Sequence, residues 1–339
     1  MGLNYTPDEE IKFQRIVEHS RLRPESDNLQ EYTDFAIKDE LFGANLYFTD
    51  APDYLEFVNY KLPWLMNQYT CMFRGVGQAS YRLFNKAQRK FRPHLEPGKK
   101  SETLFHESIA EMLKKAQTSD QNLLNNYFTS FGAKGNDIAT LAFLQHYGAP
   151  TPLIDWTYDI NVAIFFALND LTKPEFETPY FNGERKVGDF FSIYLMREDM
   201  PQFMINDYKK LSIHSKNKAT YQTLKRRQIA HITEIYKNGK PVFFLQNNLR
   251  IIKQKGIFVY NNSAQMPLEE VFYKRSFMYY LVRSPKDETV FRSPIMCLNI
   301  HKSLANLIKQ EIKKKGYSKA SMFPDAKRLA QIAVPKLLS

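Results

Sequence analysis

The chain has 339 residues, 43% of them apolar by a broad count, enough for one large domain or two ordinary ones around a substantial core. Its two cysteines, Cys71 and Cys297, fit no metal or redox spacing and read as buried thiols of a reducing compartment. The longest apolar run, Val162 to Leu168, is far too short to cross a bilayer, so a cytoplasmic protein with no membrane partner is expected. The net charge of +11 is unevenly spread: residues 1–68 carry 6 basic and 13 acidic side chains, residues 201–339 carry 26 and 8. A C-terminal half this basic suits nucleic acid or another polyanion, or is a lysine-rich solvated surface.

Residues 1–68 read as a helical accessory segment, and 69–339 as an α+β domain. Leu55, Val58, Leu62 and Leu65 follow helical spacing, interrupted by Pro63. Tyr69 to Phe73 is β-branched and aromatic, a buried strand ending at Arg74-Gly75. A helix follows with Leu104, Ile109, Met112, Leu113 and Ala116 as its stripe and Ser101 as its N-cap. Another carries Ile138, Leu141, Ala142 and Gln145, starting at Asn136 or Asp137 and stopped by Gly148 and Pro150. Gln145 to Thr157 then crowds His, Asp, Trp and Thr into what reads as a short Gly/Pro turn between two helices. Asp159 caps a helix apolar nearly all round, hence buried. After a surface loop over 173–187, strands are expected at Asp189 to Met196, Pro241 to Leu245, Gly256 to Tyr260 and Phe277 to Val282. A long basic helix, Lys216 to Tyr236, lies between the first two, and a helix from His301 to Lys315 closes the pattern. Helices outnumber strands without regular βαβ alternation, so the expected class is α+β: a small mixed sheet with many surrounding helices.

Three constellations carry chemistry. Arg74 at a strand end can grip a phosphate or carboxylate bidentately, with Gly75 letting a ligand approach the backbone; alternatively Arg74 pairs with an acid such as Asp155. His146 and Asp155 suit a general acid–base pair, or a loop His and a capping Asp. Their spacing of nine matches no metal pattern, and no metal is expected. Trp156 is a packing anchor or the wall of a base pocket. Gln254, four residues after Arg250 and just before Gly256, can orient a ligand hydroxyl or decorate a strand entry. Lys218, Lys225, Arg226 and Arg227 on the basic helix form a nucleic-acid-binding face or a solvated one.

Together these motifs resemble the FRG domain family. The matching residues are Phe73-Arg74-Gly75, then Gln145-His146-Tyr147-Gly148 through Leu153-Ile154-Asp155-Trp156-Thr157, then Ala163-Ile164-Phe165-Phe166-Ala167. Arg250…Gln254-Lys255-Gly256-Ile257-Phe258 and Met322-Phe323-Pro324-Asp325 also fit. The family places Arg where this chain has Pro152, so any contact assigned to that arginine is absent here or supplied otherwise. A more distant likeness is to ADP-ribosyltransferases, in which a strand ends in aromatic-Arg-Gly, a Ser/Thr strand leads into an Ala-rich helix, and a later strand entry holds a Glu or Gln. That likeness implies an ADP-ribosyltransferase-like fold and NAD as co-substrate, held by Arg74, Gly75, Thr157, Trp156 and Tyr147. Gln254, Asp155 and His146 would carry catalysis, with Gln254 supplying no negative charge where such transferases have Glu. The implied function is an NAD-dependent ADP-ribosyltransferase or NAD-consuming effector of toxin or anti-phage type, acting on nucleic acid or protein. The alternative is a non-catalytic nucleic-acid- or nucleotide-binding sensor.

Overall fold

The computed structural model describes residues 31–42, 44–91, 99–118, 123–130, 136–198, 249–273 and 294–323. Between 199 and 248 it describes Tyr221, Lys225 and the backbone of four short strands. The remaining residues, which include the strand expected at Phe277 to Val282 and the basic side chains Lys218, Arg226 and Arg227, lie outside the described set.

The centre is an eight-stranded mixed sheet with helices around it, an α+β organisation. Its strands are β1 (Ala44–Phe48), β2 (Cys71–Val76), β3 (Leu153–Thr157), β4 (Phe190–Arg197), β5 (Lys209–Lys210), β6 (Ile229–Ile232), β9 (Gly256–Asn261) and β10 (Ile295–His301). Their spatial order is β1-β10-β4-β2-β3-β9-β6-β5, while β7 (Ile235–Lys237) and β8 (Lys240–Phe243) form a separate pair. The two outermost pairings, β1 with β10 and β5 with β6, are parallel and the inner ones antiparallel.

Side-chain alternation divides the sheet's two faces. Cys71 and Phe73 of β2, Phe191, Ile193 and Leu195 of β4, and Leu298 and Ile300 of β10 point into one core. It is closed by α2, which runs from Ala51–Glu56 through a π-helical turn at Phe57–Lys61 into Leu62–Gln68, and by α7 (Ile160–Asn169) and α10 (Ala305–Lys314). On the same face, Leu153, Phe258 and Tyr260 pack against α4 (Lys99–Thr118) and α6 (Asp137–His146). The opposite face holds Met72, Val76, Ile154, Trp156, Tyr194, Ile257 and Val259. Leu41 of α1 (Phe35–Leu41) and the helical residues 268–273 cover it.

Helix boundaries follow local chemistry. Asn136 accepts the Ala139 amide and starts α6, Asp159 accepts the Asn161 amide and starts α7, and Gly148 adopts φ +88°, which ends α6 without a Cβ penalty. Pro63 lacks an N–H and crowds the carbonyl four residues earlier; α2 continues past it because the π-helical turn just upstream opens the ladder.

Several expectations are corrected. Residues 44–48, read as part of a helical N-terminal segment, form edge strand β1 of the central sheet. The 153–157 block is not a turn but an inner strand, because Leu153, Ile154 and Trp156 are each buried among apolar neighbours on the two faces. Ser101 lies inside α4 rather than capping it, and the helix buries Phe105, Ile109 and Leu113 while Leu104 faces solvent. The helix expected over Lys216 to Tyr236 is broken by β6 and β7: the isoleucine-rich segment 229–232 pairs with β9, where ladder bonding outweighs helical periodicity. The final helix begins at Ala305, since residues up to His301 belong to β10, a strand the sequence pattern did not reveal.

Candidate functional site at a split in the sheet

The ladder is continuous on either side of one seam. β2 pairs with β4 from Cys71↔Arg197 to Val76↔Ser192, and β3 pairs with β9 from Leu153↔Tyr260 to Thr157↔Gly256. Between β2 and β3 the only paired position is Phe73↔Thr157. Beyond it the strands part, and Arg74 reaches across the opening: its Nη1 donates to the Asp155 main-chain oxygen at 2.6 Å, an acceptor that no further β2 residue takes. An arginine therefore replaces ladder bonds at the centre of the sheet.

Asp155 alone interrupts the burial of β3, its side chain exposed between buried neighbours. Gln145 Nε2 donates to Asp155 Oδ2 at 2.9 Å, and Thr151 Oγ1 donates to Gln145 Oε1 at 2.5 Å. The carboxylate is thus aimed from behind, with one oxygen left without a bond in the described structure. His146 lies edge-on to Phe258, ring centroids 5.9 Å apart, and its buried Nε2 has no partner among the described residues. Desolvation holds its pKa below the usual imidazole value; Asp155 opposes this, while Arg250 and Lys86 add to it, so the ring is neutral at pH 7. Tyr147 is 67% exposed, its ring tilted against Phe143 at 4.6 Å.

Trp156 and Arg74 stand one residue beyond the bridge on their respective strands, and alternation sends both to the face opposite Phe73. Trp156 is 2% exposed, yet its Nε1–H has no acceptor among the described residues; Arg74 Nε is buried and equally unpartnered among them. Each buried donor of this kind is costly while it lacks an acceptor.

Three expected site residues serve the fold instead. Gly75 offers no room to a ligand on its open side, because a Cβ there would overlap the Ala163 carbonyl of α7; at Gly77 one would meet Asp170 Cβ at 2.6 Å. The glycines exist so that α7 can lie directly on β2. Thr157 Oγ1 donates to the Gln254 carbonyl at 2.6 Å and accepts the Asp159 amide at 3.0 Å, so its hydroxyl is committed to the strand end. Gln254 Nε2 donates to the Met322 carbonyl at 2.9 Å, and Arg250 stacks over the Phe323 ring at 5.8 Å. These contacts bind α9 (Leu249–Gln254) to α11 (Lys319–Met322), making Gln254 a clasp rather than a group aimed at Asp155. Arg74, Asp155, Gln145 and His146 do come together; Gln254 does not join them. Of the expected nucleic-acid face, Lys225 is described, and its main-chain oxygen accepts from Asn262 Nδ2 at 3.1 Å. Pro152 is buried at the β3 entrance, where its carbonyl accepts the Asn261 amide at 3.2 Å.

Sequence patterns did not single out Arg89 on α3 (Lys86–Phe91) or Asp170 at the end of α7. Arg89 is held below the usual arginine pKa, first by desolvation of its head group and then by Arg74. Burial raises Asp170, against the charges of Arg74 and Arg89 and a bond from the Gly77 amide. By sequence Arg89 looks like one of several lysines and arginines on a solvated helix, and its side chain is exposed.

Among the described residues no group of three His, Cys, Asp or Glu side chains is arranged to hold a metal, and no helix is long and apolar enough to cross a membrane. No curated protein and no solved structure matches the chain. Residues 69–175 match the FRG domain family model; that span includes β2 with its Phe73-Arg74-Gly75 motif, α6, β3 and α7, both walls of the seam, and the chain therefore carries an FRG domain.

Proposed function

We propose that the seam between β2 and β3 is an NAD-binding site and that the protein cleaves NAD at the nicotinamide–ribose bond, passing ADP-ribose to an acceptor. The observation that supports this reading is the parted ladder, with Arg74 spanning it and two buried N–H donors, Arg74 Nε and Trp156 Nε1, without acceptors among the described residues. In this reading a phosphate oxygen accepts from Arg74, because guanidinium–phosphate bonding is strong and directional.

The carboxylate for the reaction is Asp155, not a group at position 254. As the carbon–nitrogen bond breaks, its electron pair leaves on nicotinamide and positive charge develops on the ribose. The free Asp155 oxygen, oriented by Gln145, stabilises that charge. The acceptor's oxygen or nitrogen, or water, forms the new bond to the anomeric carbon and gives up its proton to neutral His146. The effector role of toxin or anti-phage type belongs to the same proposal.

Incubation with NAD, alone and with cell extract, followed by measurement of nicotinamide, tests the reading. Release that falls at least 100-fold in Arg74→Ala and in Asp155→Asn, both still folded, is the expected result. Absence of release with the wild type, under conditions in which NAD binds, leaves the non-catalytic nucleotide sensor as the function.

A further inference from the structure

We propose that Thr151 is a positioning residue: it holds the Gln145 amide one way round, so that Asp155 is presented as a carboxylate with one oxygen bound and the other free. This deepens the reading above and rests on its choice of Asp155 as the carboxylate of the reaction.

A threonine hydroxyl has one proton to give and two lone pairs with which to accept. Thr151 Oγ1 already accepts the Leu153 main-chain N–H at 3.3 Å, and a main-chain N–H can only donate. The hydroxyl proton therefore goes to the other neighbour, Gln145, 2.5 Å away. That separation suits O–H···O and is short for N–H···O, so the Gln145 atom facing Thr151 is the amide oxygen. The amide nitrogen is left to face Asp155, and it donates to Oδ2 at 2.9 Å. A direction set by one main-chain amide thus passes through two side chains and ends on an accepting carboxylate oxygen.

The opposite direction is costly. Thr151 and Gln145 are both buried, so neither can exchange a lost partner for bulk water. Turning the Gln145 amide over sets its oxygen against the Asp155 oxygen and leaves the Thr151 proton without an acceptor among the described residues. The Thr151 main chain is itself held. Its N–H donates to the Ala149 carbonyl at 3.0 Å and its carbonyl accepts the Ala87 amide at 3.1 Å, while the ring of Pro152 narrows the backbone choices of the residue before it. Thr151 has no bond to Asp155; it acts on the carboxylate through Gln145.

The test uses the full-length, isotope-labelled protein, in which the Gln145 side-chain amide signal is the one lost in Gln145→Met. Thr151→Val removes the hydroxyl at similar size. It should speed hydrogen exchange of that amide at least tenfold beyond any change in the main-chain amides of β3, and Thr151→Ser should restore slow exchange. Nicotinamide release is the second readout. In Thr151→Val kcat should fall at least tenfold with KM for NAD within twofold, and Thr151→Ser should recover it. Gln145→Met should cost as much, and adding Thr151→Val to it should cost nothing further, because the two side chains act in series. Wild-type exchange of the Gln145 amide in Thr151→Val, or Thr151→Ser as impaired as Thr151→Val, overturns the proposal. Wild-type kcat in Gln145→Met also overturns it, and serves where Thr151→Val does not fold; the NAD reaction then stands. Absence of nicotinamide release from the wild type removes the reaction alone: Thr151-dependent exchange then still sustains the placement of Asp155, and exchange indifferent to Thr151 overturns it.

Discussion

The two sides of the seam are built by different means. On one side β1, β10, β4 and β2 form an unbroken ladder, with α7 lying on β2 through Gly75 and Gly77. Lys302, itself buried, reinforces it by donating to Gln78, Glu175 and the Gly188 carbonyl. On the other side β3 and β9 rest on α4 and α6, and polar side chains fix that layer. Glu102 accepts the Ala264 amide, His106 Nδ1 meets the Tyr221 hydroxyl at 2.7 Å, and Gln145 holds Asp155. The β2 side supplies Arg74, the long cationic arm, and the β3 side, whose own ladder with β9 is reinforced by these side-chain bonds, supplies the aimed carboxylate. A sheet that pairs fully across its middle has no room for either group to meet a ligand.

The largest effect is expected from closing the space between β2 and α7. Gly75→Ala puts a methyl group into the Ala163 carbonyl, a backbone atom that cannot rotate away. Destabilisation of about 3 kcal/mol or more is expected, read as a lower urea midpoint. An unchanged midpoint would mean that α7 does not seat on β2 as described.

Acid should separate the two sides. His106 is held down at about 4, first by desolvation and second by Lys225. The unfolded imidazole takes up its proton near 6.5, so stability is full above that pH and declines as pH falls toward 4. The decline approaches about 3 kcal/mol at about 1.4 kcal/mol per unit. Glu102 beside it, raised by desolvation, works in the opposite sense, and His106→Gln isolates the imidazole's share. Across the seam, Glu175 is lowered to about 2: partial burial opposes the shift, and Lys302 together with Thr172 outweighs it. Its contribution is present above about 4.5 and is lost only as pH falls toward 2. Hydrogen exchange at pH 4 to 5 should therefore quicken in β3 and β9 before β4 and β10; simultaneous quickening would refute the asymmetry.

Arg74→Ala should act on function more than on the fold. The expected loss of at least 100-fold in nicotinamide release corresponds to about 2.7 kcal/mol of transition-state stabilisation. The smallest effect is Gln254→Ala. Losing one bond to the Met322 carbonyl should cost about 1 kcal/mol of stability and leave turnover within a few-fold. A loss matching that of Arg74→Ala would return Gln254 to the reaction.

Much of this was legible along the chain. Asp159, Asn136 and Gly148 declare α6 and α7 because capping is local chemistry between residues two or three apart. Arg74, Asp155 and His146 stand out because polar groups among apolar neighbours are expensive. Strands β1 and β10 did not stand out, since Ala44–Phe48 becomes a strand by pairing with Ile295–His301, 252 residues away in the chain, and the latter also by pairing with β4. Gly75 and Gln254 have site chemistry by type, yet α7 and Met322 occupy them, and residue type alone cannot say which partner arrives first.

The sequence by itself determined the α+β class, the FRG domain and the arginine and aspartate on which the proposed site depends, because periodicity, capping and motif order are properties of neighbouring residues. Only the tertiary structure decided that the ladder parts between β2 and β3 and that Arg74 reaches into the gap. Strand register arises from pairing between segments far apart in the chain, and no local pattern encodes where a sheet stops pairing.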